Sequence, residues 1–132
     1  MPEVDAVDVV VGWLDAMRRN DIPAVETFFH ADVVWGGIGD AKPCAGRDEV
    51  MELLEGGMEG RLGAHAVEVI AGDGAAVLGA KVPGLGELGG VDVHGQLFNV
   101  FQVSDGQIVA VQDYAHRHHA LAAAGAQPPR WR

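Results

Sequence analysis

Two turn signals, Gly72-Asp73-Gly74 and Ser104-Asp105-Gly106, constrain this chain more than any other feature. Each lies between apolar runs, 65–71 and 75–82 for the first, 91–103 and 107–116 for the second. Glycine beside aspartate supplies the positive φ of a tight hairpin, so the pattern specifies antiparallel strand pairs. The first half has a helical period instead. Within 4–19, Val7, Val10, Val11, Leu14 and Met17 fall three and four residues apart, which is one stripe of an amphipathic helix. Asp5 and Asp8 at its start and Arg18 and Arg19 at its end suit the helix dipole. Asp21 is placed to cap a second helix over about 22–30, with Pro23 in its first turn and Val25, Phe28 and Phe29 facing inward. A short strand at 32–35, a loop at 36–46 and a third helix at 47–56 follow, the helix burying Val50, Met51, Leu53 and Leu54. Residues 83–90 read as a glycine-rich loop, and 117–132 as a short helical piece ending in a loose QPPRWR tail. Helices before a meander predict an α+β domain, with three N-terminal helices packed on one face of a strongly curved mixed or antiparallel sheet. The domain spans 1–116, and 117–132 is a C-terminal extension.

Charge narrows the partners. Nine Lys+Arg against nineteen Asp+Glu leave a formal net charge of −10, which argues against nucleic acid and anionic membranes, because neutralising phosphates takes clustered cations. No apolar run reaches the roughly 18–20 residues of a membrane span. The opening MPEVDAVDVV is acidic, unlike a secretory leader, and the lone Cys44 can form no internal disulfide; the expected compartment is the cytoplasm. Cys44 also has no evident histidine to activate it as a nucleophile. His116, His118 and His119 cluster after the last strand, but neighbours 118 and 119 diverge on extended backbone. A polar strand end is therefore the simpler reading, and no metal is expected. His30 is expected to end the second helix, where a cation suits the dipole. The run GLGELGG (84–90) does not lead from a strand into a helix, so it is no phosphate cradle. It is a candidate lid, and no cofactor is expected.

The runs NDIPAVETFFHADVVW (20–35), AGRDEV (45–50) and LFNVFQVSDGQIVAVQDYAHR (97–117), in that order and spacing, resemble the nuclear transport factor 2-like superfamily. Within it the chain is most similar to SnoaL-like polyketide cyclases, ketosteroid isomerases and limonene-epoxide-hydrolase-like proteins. The resemblance implies a cone-shaped α+β barrel, a bent sheet wrapped over three helices around an apolar pocket. Two departures bear on activity. Gly37 stands where ketosteroid isomerases carry their general base, and Trp13 where they carry a phenolic tyrosine. Lys81-Val82-Pro83 stands where limonene-epoxide-hydrolase-like proteins carry an Arg-x-Asp triplet, so a cation is kept and a carboxylate lost. A SnoaL-like cyclase needs chiefly one acid/base in the last strand, which Asp113 supplies.

The last hairpin determines which side chains share a face. A two-residue Asp105-Gly106 turn sets Phe98 opposite Asp113, and a three-residue Ser104-Asp105-Gly106 loop sets Leu97 there and Asn99 opposite Val111. The three-residue loop is preferred, because it gives Asn99 and Asp113 one face, where members of the family carry their pocket polar groups. The outer face then holds Phe98, Val100, Ile108 and Ala110 and is expected to form a homodimer interface. Asp113 is the candidate acid/base, since a carboxyl in an apolar cavity is costly to ionise. Asn99 is the candidate donor to an enolate oxygen. Trp13, Phe29, Trp35, Leu97, Phe101, Val111 and Ala115 are expected to line the pocket. The expectation is an enzyme doing acid/base chemistry (cyclase, isomerase or hydratase) on a hydrophobic carbonyl compound. The alternative is a non-catalytic ligand-binding or dimerising module of the same fold.

Overall fold

In the computed structural model, residues 5–39, 42–56 and 65–125 are described; the QPPRWR tail lies outside them. Helix α1 (Ala6–Arg18) starts at Asp5, whose side chain accepts from the Val7 N–H. Asp21 caps α2 (Ile22–Thr27) by accepting from the Ala24 N–H. Strand β1 (Phe29–Gly36), the two-residue β2 (Cys44–Ala45) and helix α3 (Arg47–Gly56) complete the first half. Then come β3 (Ala66–Ala71), β4 (Ala75–Lys81), a small hairpin β5 (Glu87–Leu88) and β6 (Val91–Asp92), β7 (Gln96–Ser104), β8 (Gln107–Tyr114) and helix α4 (Arg117–Ala123). The main sheet has the order β2-β1-β8-β7-β4-β3. It is mixed, because β1 runs parallel to β8 while the other neighbours are antiparallel.

Several local expectations are corrected. The buried stripe of α1 is Ala6, Val9, Val10, Trp13, Leu14 and Ala16, while Val11 is 49% exposed. Trp13 is fully buried, and seating so large a ring turns the helix away from the face that the valine spacing suggests. The second helix stops at Thr27, and Phe29 and His30 already belong to β1. His30 is exposed there, and its Nδ1 accepts from the Asp32 N–H. The expected strand 91–103 is broken at His94-Gly95, both at positive φ, so its first part folds into the β5–β6 hairpin.

The two sheet faces have separate cores. The inner one holds Trp13 of α1, Val25 of α2, Val50 and Leu54 of α3, and the inward residues of the strands. The outer one holds Ala75, Val77, Phe98 and Val100 beneath Ala120, Leu121 and Ala124 of the C-terminal helical segment. Much of the apolar outer face is thus covered from within the chain. Ile108, expected on that face, is in the inner core instead.

The docking of α4 depends on one glycine. The Asp73 N–H donates to the Ala124 carbonyl at 2.8 Å. A Cβ on Gly72 would stand 2.4 Å from that same oxygen, a clash with backbone that cannot rotate away. Gly72→Ala is expected to cost about 1–3 kcal/mol in urea unfolding and to strip α4 amides of hydrogen-exchange protection. Unchanged protection there would contradict this seating.

Candidate functional site

The tip of the β7–β8 hairpin is a two-residue turn. Ser104 pairs with Gln107, and Asp105 and Gly106 both have positive φ, the geometry that matches strand twist. The preferred three-residue loop is therefore corrected. Farther from the turn, Val103 pairs with Ile108 but Gln102 pairs with Ala110, so Val109 is an extra residue in β8. This bulge does what the longer loop was expected to do and puts Asn99 and Asp113 on one face, directly opposite each other. It also turns Ile108 inward.

The register then builds the site in rows. Across the inner face, Ala76, Phe101, Val111 and Trp35 are successive partners on β4, β7, β8 and β1. The next row on the same face is Leu78, Asn99 and Asp113. Asn99 and Asp113 are the buried polar residues of the described chain, at 0% and 5% exposure. The buried side chains of the inner core beside them are hydrophobic.

Asp113 is held by two N–H donors on one oxygen. Trp35 Nε1 donates to Oδ1 at 2.9 Å, and Asn99 Nδ2 donates to the same atom at 2.5 Å. An oxygen accepting two such bonds carries no proton of its own, so any proton on this carboxyl sits on Oδ2. Trp35 was expected only to line a pocket; that buried indole N–H groups usually find an acceptor was the available signal for its bond to Asp113. Trp35→Phe is expected to cost about 1.5–3 kcal/mol, the range for hydrogen bonds to charged groups. Urea unfolding checks this, and unchanged stability would contradict the bond.

The other expected lining residues gather beside this trio. Trp13, Phe29, Leu97 and Phe101 are fully buried, Trp35 and Val111 nearly so, and Ala115 is partly buried against the same cluster. Trp13 and Trp35 each face the other three rings, with Trp13 centroids 5.1 Å from Phe101, 6.2 Å from Phe29 and 6.3 Å from Trp35. Trp13 Nε1 is buried and has no hydrogen-bond partner among the described residues, and the same is true of Asn99 Oδ1.

Other candidates stand apart. Lys81 ends β4 exposed, so its cation is outside the buried trio. Arg117 pairs with Glu68 at 2.8 Å, and the hydrogen bond and charge of that carboxylate raise its pKa above the usual guanidinium value. The rings of His116, His118 and His119 lie 4.1–5.8 Å apart on the surface at the start of α4. Among the described residues no group of three or more His, Cys, Asp or Glu is placed to hold a metal ion. Nor is any helix among them long and apolar enough to cross a membrane.

Comparison with known proteins agrees with this architecture. A putative polyketide cyclase from Sinorhizobium meliloti is 21% identical with a TM-score of 0.58, covering 81% of this chain and 94% of its own. A Xanthomonas campestris protein of unknown function with a cystatin-like fold is 17% identical with a TM-score of 0.65, covering 94% of this chain and all, 100%, of its own. A Catenulispora acidiphila hypothetical protein with a ketosteroid isomerase-like fold, solved with trimethylamine, is 17% identical with a TM-score of 0.51, covering 91% and 94%. At these identities the likeness is one of fold. No curated protein matches the chain significantly. The SnoaL-like domain matches residues 10–111, ending two residues before Asp113. With most of its length inside that match, the chain belongs to the SnoaL-like domain family.

Proposed function

We propose that this protein is a small-molecule enzyme that moves protons on a hydrophobic carbonyl compound, as a cyclase, isomerase or hydratase. The observation that carries this reading is the Asp113 carboxyl, 5% exposed among apolar and aromatic side chains and aligned by Trp35 and Asn99. A carboxyl so placed suits general acid–base work, because a positioned carboxyl can take a proton from a reacting group and return it. In the proposed step Oδ2 of Asp113 takes the proton from the carbon next to the carbonyl. The electron pair of that C–H bond moves into the enolate. The same oxygen then returns the proton to carbon or to a leaving oxygen. Asn99 gives one amide hydrogen to Asp113 and keeps the other for the enolate oxygen. No cofactor enters this scheme.

The test uses a simple bicyclic ketone. The protein is expected to speed exchange of the C2 hydrogens of 1-tetralone with D₂O, followed by NMR. Exchange at the buffer rate for this and for larger cyclic ketones would leave the non-catalytic binding module as the better reading.

Homodimerisation is proposed on the part of the outer face that α4 leaves open. There a groove of about 300 Å³ is lined by Val34, Pro43, Ala110 and Tyr114 among others, with Val34 itself 44% exposed. Sedimentation equilibrium checks it, and a monomer at tens of micromolar would speak against it.

A further inference from the structure

We infer that the groove between α1 and β3 is a docking site for the chain's own segment 126–132, AQPPRWR, with Trp131 on its apolar floor and Arg130 and Arg132 on its acidic rim.

The groove lies at the end of the main sheet. β3 is the last strand in the order, so one of its edges is unpaired among the described residues. A groove of about 600 Å³ follows that strand, lined by residues 66–69 and, across from them, by Asp8, Val11 and Asp15 of α1 among others. Asp8, Val11, Asp15 and Arg18 fall three and four positions apart and are all exposed, so they form one stripe of the helix. Val11 and Val67 are 49% and 59% exposed. Valines left open along an unpaired strand edge invite pairing with other chains, and native proteins cover such edges. The charged side chains of the lining are Asp8, Asp15 and Glu68 against Arg18, so the groove is net negative. Asp15 also pairs with Arg19 at 3.3 Å, but both are more than half exposed, and a surface pair of that kind is worth little.

The end of α4 brings the segment to this place. Gly125 has a φ of +68° and sits against Asp73, just past the end of β3. A positive φ there turns the chain off the helix. From Gly72 back to Val67 is about 17 Å along the strand, and the seven residues that follow Gly125 reach about 23 Å when extended. A chain turning back from Gly125 runs antiparallel to β3, the direction that short connections allow. Pro128-Pro129 favours the extended form. On an extended chain Trp131 faces one way and Arg130 and Arg132 the other. Trp131 then covers Val11 and Val67, and the two guanidinium groups meet Asp8 and Asp15 at the mouth. Trp and Arg are side chains enriched where surfaces meet, and opposite charge fixes register and suppresses wrong partners.

NMR of the labelled full chain tests this. Nuclear Overhauser contacts are expected from the Trp131 ring to the methyl groups of Val11 and Val67, unchanged on dilution. Trp131→Ala should speed hydrogen exchange of the β3 amides that face away from β4 by about tenfold. Asp8→Lys combined with Asp15→Lys should abolish the Trp131 contacts, and adding Arg130→Glu and Arg132→Glu to that chain should restore them. Unmoved Trp13 and Trp35 indole resonances show that each variant is folded. Absence of contacts to both valines in the parent chain would overturn the inference. So would contacts that vanish on dilution, which would assign the groove to a second copy, or β3 exchange that Trp131→Ala leaves unchanged. Failure of the reversed charges to restore the contacts would overturn it as well.

Discussion

Asp113→Asn is expected to reduce catalysed exchange at C2 of 1-tetralone by about 10²–10⁴-fold, the usual contribution of a positioned acid or base. The substitution keeps volume and an acceptor oxygen, so Trp35 Nε1 and Asn99 Nδ2 retain a partner at the Oδ1 position. The protein should therefore remain folded, with an unfolding midpoint close to that of the parent. That combination separates a chemical role from a structural one. A residue that merely satisfies two buried donors would lose stability and activity together, or neither. Full activity in the folded variant would remove Asp113 from the mechanism.

Trp13→Ala carries the largest expected loss of stability. Its ring touches Phe29, Trp35 and Phe101 at centroid distances of 5.1–6.3 Å and is fully buried. Removing a buried Trp or Phe side chain costs about 3–5 kcal/mol, through lost transfer energy and the cavity left behind. In a domain of this size that lowers the thermal midpoint by about 10 °C or more. Trp13→Phe should cost much less, since most ring contacts remain and an unpaired buried N–H is removed. Calorimetry of the two variants checks the difference. Equal losses would mean that the indole N–H has a partner in the folded protein.

The fold class was legible in the chain because periodicity and turn chemistry are local. Gly72-Asp73-Gly74 specified the β3–β4 hairpin, and Asp21 caps the helix it is expected to cap. What escaped depends on contacts remote in sequence. The bulge at Val109 has no glycine or proline to mark it, so the turn was expected to be one residue too long. Asn99 and Asp113 nevertheless share a face, because a bulge and a longer loop both add a residue to the hairpin. Ile108 lies nearer the turn than the bulge and so is found on the opposite face from the one expected. The rotation of α1 was hidden for a similar reason. The three valines of the expected stripe outnumber one tryptophan in a periodicity count, whereas burial is decided by ring area. That α4 folds back over Val77, Phe98 and Val100 depends on Gly72, whose lack of a side chain also reads as an ordinary turn residue.

The candidate pair Asp113 and Asn99 was legible from strand alternation and resemblance, and the structure brings the two into contact. The part of Trp35 was not legible. It comes from β1, 78 positions away from Asp113 in sequence, and reaches it only because β1 runs parallel to β8. The unpaired Trp13 Nε1 and Asn99 Oδ1 could be recognised only once every neighbour was placed.

The most direct measurement is a crystal structure with 2-naphthol, a planar mimic of the enol of tetralone. The account predicts the bicyclic ring against Trp13 and Phe101. The carbon corresponding to the reacting centre should then lie about 3–3.5 Å from an Asp113 carboxyl oxygen, the separation of a near-attack geometry. Naphthol bound only on the outer face, with the Asp113 carboxyl touching protein alone, would contradict it.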